Sequence, residues 1–220
     1  MATKTTKAVL TIWPGRNEHL LEQCRASVAQ DLPEGVEHVV VRDGKDWCLT
    51  MWEYHNVADL VAWVDYDDIV YPGALRHCFE ALEANPTIGL AYTSERRVDL
   101  SNGRTISENK GRKSVIDLVS HPRIVHHLAV TRSSCVDRRP LELYKSAGPP
   151  CPMDWLIRAR AGAQHGMIYV PMIGYEWRTH SDQVSVTPQY INQFQDNLRK
   201  IRKTTIPWIA PNAYSIQHTL

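Results

Sequence analysis

The first 95 residues alternate four short apolar runs with stretches of helical spacing, and few folds accept that rhythm. Residues 8–13 (AVLTIW) form an apolar run stopped by Pro14 and Gly15, which reads as a buried strand. Leu20, Leu21, Cys24 and Val28 then recur at helical spacing within residues 18–30, with Asn17 placed as N-cap and Glu18 in the first turn. Residues 36–41 read as a second strand, ended by Asp43 and Gly44. Residues 46–55 are ambiguous, with helix the better fit. Residues 60–64 read as a third strand running into Asp65, Tyr66, Asp67 and Asp68. Pro72 opens a helix reaching about residue 84, and residues 88–93 read as a fourth strand. The order β-α-β-α-β-α-β predicts an α/β fold: one Rossmann-like domain with a mostly parallel central sheet and helices on both faces.

Ligands of such sheets bind beyond the carboxyl ends of the strands. Pro14 to Asn17, Asp43, and Asp65 to Asp68 all fall at expected strand ends. Three carboxylates within four positions repel unless water or a cation relieves them. They are hard oxygen ligands suited to Mg²⁺ or Mn²⁺, or else a solvated acidic turn before the next helix.

After residue 95 the rhythm changes. Residues 98–106 read as a hairpin around Ser101, Asn102 and Gly103, and 124–131 as a strand. Residues 141–144 and 152–163 read as helical, with Asp154 in the first turn of the latter. Residues 167–170 and 173–177 read as two short strands, 188–203 as a final helix, and 204–220 as a tail packed by Trp208 and Tyr214. His126 and His127 fall on an expected strand, one facing the core and one outward.

The net charge of +1 hides an asymmetry. Residues 1–95 carry 7 basic and 15 acidic side chains, and residues 96–220 carry 18 basic and 9 acidic. This fits an acidic, metal-binding half facing a half that holds anions, or two solvated faces that cancel. The five cysteines are odd in number and show no CxxC spacing, which argues for buried reduced thiols over zinc or disulfides. No apolar run approaches the ~20 residues that span a bilayer, and residues 1–7 carry no targeting signal, so a soluble, cytoplasmic protein is expected.

Pro14 to Asn17, LEQCRASVAQ (21–30), EHVVVRDG (37–44) and VAWVDYDDIVYPGAL (61–75) together resemble the nucleotide-sugar domain of inverting GT-A glycosyltransferases, specifically glycosyltransferase family 2. CPMDWLIRARAG (151–162) is similar to the family's catalytic-base segment, and YEWRTHSDQVS (175–185) to the segment closing the site. The resemblance covers roughly residues 7–187. It implies a nucleotide-sugar half over 7–95, an acceptor half over 96–187, and a C-terminal helix and tail over 188–220.

By resemblance, Pro14 and Asn17 belong to the first-strand turn, Asp43 to the nucleotide contact, and Asp65 to the ribose and diphosphate. Asp67, Asp68 and His180 become the metal ligands, Arg178 a cation near the diphosphate, and Asp154 the general base. Arg16 stands where an aromatic often stacks on the base, and Arg42 where an acidic residue is usual. The implied activity is metal-dependent, inverting transfer of a sugar from a nucleotide-sugar donor to an acceptor hydroxyl. Residues 96–139, with ten basic and four acidic side chains, suggest an anionic acceptor; a phage-type enzyme glycosylating hydroxylated DNA bases fits, with base flipping. Alternatives are a nucleotidyltransferase, for which no Gly-rich triphosphate loop is visible, and a non-catalytic sugar- or nucleic-acid-binding relative.

Overall fold

The computed structural model describes residues 6–42, 46–121, 125, 128–183 and 187–209, with side chains of 119–120 and 202–209 excluded. Asp43, His126, His127 and Tyr214 lie outside the described residues, as does the side chain of Trp208.

The strands are β1 (Lys7–Trp13), β2 (Val36–Arg42), β3 (Leu60–Trp63), β4 (Ile69–Val70), β5 (Leu90–Asp99), β6 (Arg104–Asn109), β7 (Ala129–Arg132) and β8 (Met167–Thr179). The helices are α1 (Glu18–Asp31), α2 (Trp47–Tyr54), α3 (Ala74–Glu83), α4 (Val115–Ser120), α5 (Arg139–Ala147), α6 (Met153–His165) and α7 (Pro188–Ile209). One sheet joins them in the order β2-β1-β3-β7-β5-β8-β4, with β6 paired to β5. Strands β1, β2, β3, β5 and β8 run one way, while β4, β6 and β7 run against them. The mostly parallel α/β expectation therefore holds in strand direction.

Alternation along the strands divides the core in two. Ala8, Leu10, Val61 and Trp63 face a layer built on α2, α4 and α6. Val9, Leu60, Ala62 and Val64 face α1 and α3, where Cys24, Val28, Leu75, Phe79 and Leu82 fill the space. Helices cover both faces, as the apolar runs predict for strands buried on two sides. All five cysteines are free and buried, Cys48 and Cys151 in the first layer and Cys24 and Cys78 in the second. No described helix is long and apolar enough to cross a membrane.

Several expected elements differ. The fourth strand does not lie beside the third, because β7 inserts between them and pairs antiparallel with both. Residues 88–93 and the first arm of the hairpin are one strand, β5. The two short strands after residue 166 are also one, β8. Its register against β5 shifts between Tyr92 and Glu95, and Pro171, which has no N–H to donate, sits opposite that irregularity. Among the described residues, the strand expected over 124–131 appears as β7 at Ala129–Arg132. The last helix extends to Ile209, so part of the expected tail is helical. Asn17 occupies the N-cap position of α1 through its backbone carbonyl, at φ 53°, and its side chain caps nothing.

Helix α1 positions the chain that leaves the acidic loop. Asp31 accepts from Gly73 N (2.5 Å) and Leu75 N (2.6 Å), capping α3 from another helix, and Ser27 Oγ accepts from Val70 N (3.1 Å). Helix α6 meets the amino end of β8 at Gly166. Its 13 residues rise about 20 Å, which carries its first turn to the carboxyl edge of the sheet. Its contact with β5 is close at Gly89, where an added Cβ would lie 2.5 Å from the Ala161 carbonyl. Gly89→Ala is expected to cost about 1–3 kcal/mol by forcing strand and helix apart. Urea denaturation checks this, and a change below about 0.5 kcal/mol would mean that α6 slides freely on β5.

Candidate active site

The carboxyl end of β3 delivers the chain into Asp65, Tyr66, Asp67 and Asp68, and β4 then pairs with β8 through Ile69–Glu176 and Val70–Tyr175. That pairing brings the last turns of β8 beneath the acidic loop. Carboxylate oxygens of Asp65, Asp67 and Asp68 all lie within 4.8 Å of one another.

The three are not equivalent. Asp68 is fully buried, with Oδ2 accepting from Tyr175 Oη (2.8 Å) and Oδ1 from the Arg178 backbone N–H (2.7 Å). The Tyr175 hydroxyl also accepts from Asp65 N (3.0 Å), so one phenol ties two of the acidic residues together. Burial first, then the charges of Asp67 and Asp65, push the Asp68 carboxyl well above the usual range, against the two hydrogen bonds. The magnitudes agree. Two unit charges about 5 Å apart repel by roughly 3 kcal/mol at an effective dielectric near 20, while a hydrogen bond to a charged group returns about 1.5–3 kcal/mol. Two such bonds do not offset two repulsions and complete desolvation. The group is therefore an incomplete electrostatic unit, and hard oxygen donors crowded this closely suit a divalent cation.

Asp67 is oriented from behind. Its Oδ2 lies 2.9 Å from His180 Nε2, and its carbonyl accepts from Arg178 Nε. Arg178 Nη1 donates to Gln23 Oε1 of α1 at 2.5 Å. The remaining guanidinium nitrogen, Nη2, is buried without a partner among the described residues. Arg178 is only 3% exposed. The guanidinium expected to face a diphosphate is thus turned inward, because the Asp67 carbonyl and Gln23 claim it, and it braces the loop. Asp68 likewise spends both oxygens on protein donors, and His180 reaches the acidic group through Asp67.

Next to this loop, β1 ends in a tight turn with Gly15 at φ 81° and Asn17 at φ 53°. Trp13 Nε1 donates to the Arg16 carbonyl (2.7 Å), and Arg16 Nη2 donates to the Asp182 carbonyl (3.2 Å). The β1 turn is thereby latched to the loop after β8. Pro14 and Asn17 are half-buried there, and Asn17 Nδ2 is buried without a partner among the described residues. Tyr66 stands beside Asp67 and Arg16; burial first, then the Asp67 charge, raises its phenol.

Asp154 lies in the first turn of α6 and forms an ion pair with Arg158 one turn on. Arg158 is fully buried and also donates to the Val125 carbonyl (3.1 Å). The structure therefore brings together Pro14, Asn17, Asp65, Asp67, Asp68, Arg178 and His180 and leaves Asp154 on a neighbouring helix. Tyr175 and Gln23 are the participants that residue patterns did not single out. Tyr175 had one signal, its place in the segment similar to the family's closing motif. Gln23 had none, because it matters only once β8 packs on α1.

Several cations of the basic half have partners within the protein. Arg132 donates to the carbonyls of Leu82 (2.6 Å) and Ile88 (3.1 Å). Arg96 and Lys110 pair with Glu108, and Arg160 with Asp137.

No family model and no curated protein sequence matches the chain. Solved structures do. The crystal structure of S. aureus TarS 1–349 in complex with UDP-GlcNAc aligns with TM-score 0.58 at 14% identity, over 90% of this chain and 65% of that one. TarS 1–349 in complex with UDP gives 0.54 at 16% identity, over 79% and 61%. A further crystal structure of S. aureus TarS 1–349 gives 0.54 at 13%, over 91% and 72%. The chain thus spans about 65% of the length of the first of these structures, and its fold is GT-A-like.

Tyr175→Phe removes the hydroxyl shared by Asp65 and Asp68 while keeping the ring. Stability is expected to fall by about 1–3 kcal/mol, the cost of leaving buried polar groups unmet. Chemical denaturation in the presence of chelator measures it. An unchanged midpoint would show that the phenol is not what holds the loop.

Proposed function

We propose that this chain is a nucleotide-sugar-dependent glycosyltransferase that moves a sugar to an acceptor hydroxyl with Mn²⁺ or Mg²⁺ and inverts the anomeric carbon. The observation that carries this reading is the convergence of Asp65, Asp67 and Asp68 within 4.8 Å at the carboxyl end of β3, beside the β1 turn, in a GT-A-like fold. The resemblance of TarS, a protein crystallised in complex with UDP-GlcNAc, supports the donor class.

In this reading half-buried Asp65 and buried Asp67 would hold the ion, with Asp68 behind them and His180 orienting Asp67. A divalent ion held there supplies positive charge against the charge that develops on the leaving diphosphate. Arg178 is a positioning residue that fixes the Asp67 backbone. Pro14 and Asn17 line the nucleotide side; Asp43, outside the described residues, is assigned to the nucleotide by the sequence resemblance alone. Asp154 is the general base that takes the proton of the attacking hydroxyl, and Arg158 orients its carboxylate. Residues 7–95 form the donor half and 96–187 the acceptor half.

A panel of nucleotide sugars, assayed for Mn²⁺-dependent thermal shift and for release of nucleoside diphosphate, tests the reading. At least one donor is expected to raise Tm and be turned over, with chelator abolishing both. Asp67→Asn is expected to lose the Mn²⁺-dependent shift. Asp154→Asn is expected to keep donor binding and lose about 10²–10⁴-fold in turnover; undiminished turnover would remove it as the base. Absence of any donor-dependent shift across the panel would remove the activity.

A further inference from the structure

Two adjacent strand ends beside the acidic loop carry a cation that no hydrogen bond engages among the described residues. Strands β1 and β2 are parallel neighbours in which Trp13 is the register partner of Arg42. Arg42 is exposed, and its guanidinium carbon lies 5.5 Å from the centroid of the Trp13 ring. The same guanidinium packs over Gly15, where an added Cβ would lie 3.0 Å from Arg42 Nε and 3.2 Å from Nη2. Gly15, at φ 81° and without a side chain, leaves the space that the fork occupies. Trp13 is itself fixed, since its indole N–H is spent on the Arg16 carbonyl. Among the described residues no hydrogen bond or ion pair engages the Arg42 guanidinium. An aromatic ring and a glycine turn thus hold a planar fork of donors at the strand ends.

We infer that Arg42 selects the base of the nucleotide donor and favours one presenting two adjacent acceptors, guanine or cytosine, over uracil, thymine or adenine. This rests on the nucleotide-sugar reading above. The chemistry follows from the donor inventory. A guanidinium has five N–H donors in a fixed fork and no acceptor. It pairs bidentately where two acceptors sit side by side, as at guanine O6 and N7; cytosine offers the same at N3 and O2. Uracil and thymine interpose the N3–H donor between their two carbonyls, and adenine sets the N6 amino donor beside N7. Against those edges the fork makes one bond and meets a donor. This separates the chain from TarS, which is seen with the uracil nucleotides UDP and UDP-GlcNAc.

The test is calorimetric titration of GDP, CDP, UDP, TDP and ADP in the presence of Mn²⁺, for the unaltered protein and for Arg42→Ala and Arg42→Lys. GDP or CDP is expected to bind at least tenfold more tightly than the other three. Arg42→Ala is expected to bring all five within about threefold of one another, with affinity for the weakest unchanged. Arg42→Lys, a point charge without the fork, is expected to lose most of the preference. UDP binding as tightly as GDP and CDP, or a preference that survives Arg42→Ala, would overturn the inference and leave the nucleotide-sugar reading standing. Failure of all five diphosphates to bind would overturn that reading and this one together.

Discussion

The burial of Asp68 is the interaction on which the site depends. A carboxylate that has lost its water is stable only where donors replace it, and both donors come from β8: the Tyr175 hydroxyl and the Arg178 N–H. The acidic loop, which leaves the sheet after β3, is thereby tied to a strand more than a hundred residues away. Everything that orients the other two carboxylates follows from that tie. His180 and the Arg178 guanidinium arrive at Asp67 because they continue β8, and Gln23 completes the brace because α1 lies over the same loop. The arrangement leaves Asp65 as the least buried of the three and Asp67 with one carboxylate oxygen on His180.

The charge asymmetry of the sequence is real, but its two halves have different origins. The acidic excess of the first half is concentrated in part at Asp65, Asp67 and Asp68, where proximity makes it electrostatically incomplete. The basic excess of the second half dissolves into local partners. Arg132 caps carbonyls at the end of α3, Arg158 is buried against Asp154, and Arg96 and Lys110 share Glu108. A guanidinium with five donors is well suited to collecting orphan carbonyls, and such a residue adds to net charge without making an anion-binding face.

Much of the architecture was legible residue by residue. The apolar runs at 8–13 and 60–64 became β1 and β3 because strands buried on both faces need continuous apolar side chains, and 36–41 became β2, a half-buried edge strand. The spacing of Leu20, Leu21, Cys24 and Val28 set the buried stripe of α1, and the Ser101–Gly103 turn set the β5–β6 hairpin. The acidic run after β3 marked the site because a strand end is where a parallel sheet exposes loops to ligand. Less legible were the insertion of β7 between β3 and β5, the continuity of β8 past Pro171, and the length of α7. Each depends on pairing between distant segments, which local periodicity does not encode.

By itself the sequence determined the strand–helix alternation, the two-faced core and the gathering of polar residues at one sheet edge, since these depend on periodicities of two and 3.6 within short segments. Tertiary structure decided which of those polar residues face outward. Arg178, expected near the diphosphate, donates to the Asp67 carbonyl and to Gln23. Asp68, expected as a metal ligand, accepts from Tyr175 and from the Arg178 backbone. Arg42 gained its meaning only when β1 set Trp13 and Gly15 beside it. A side chain's task depends on which partners compete for it, and those partners lie far along the chain.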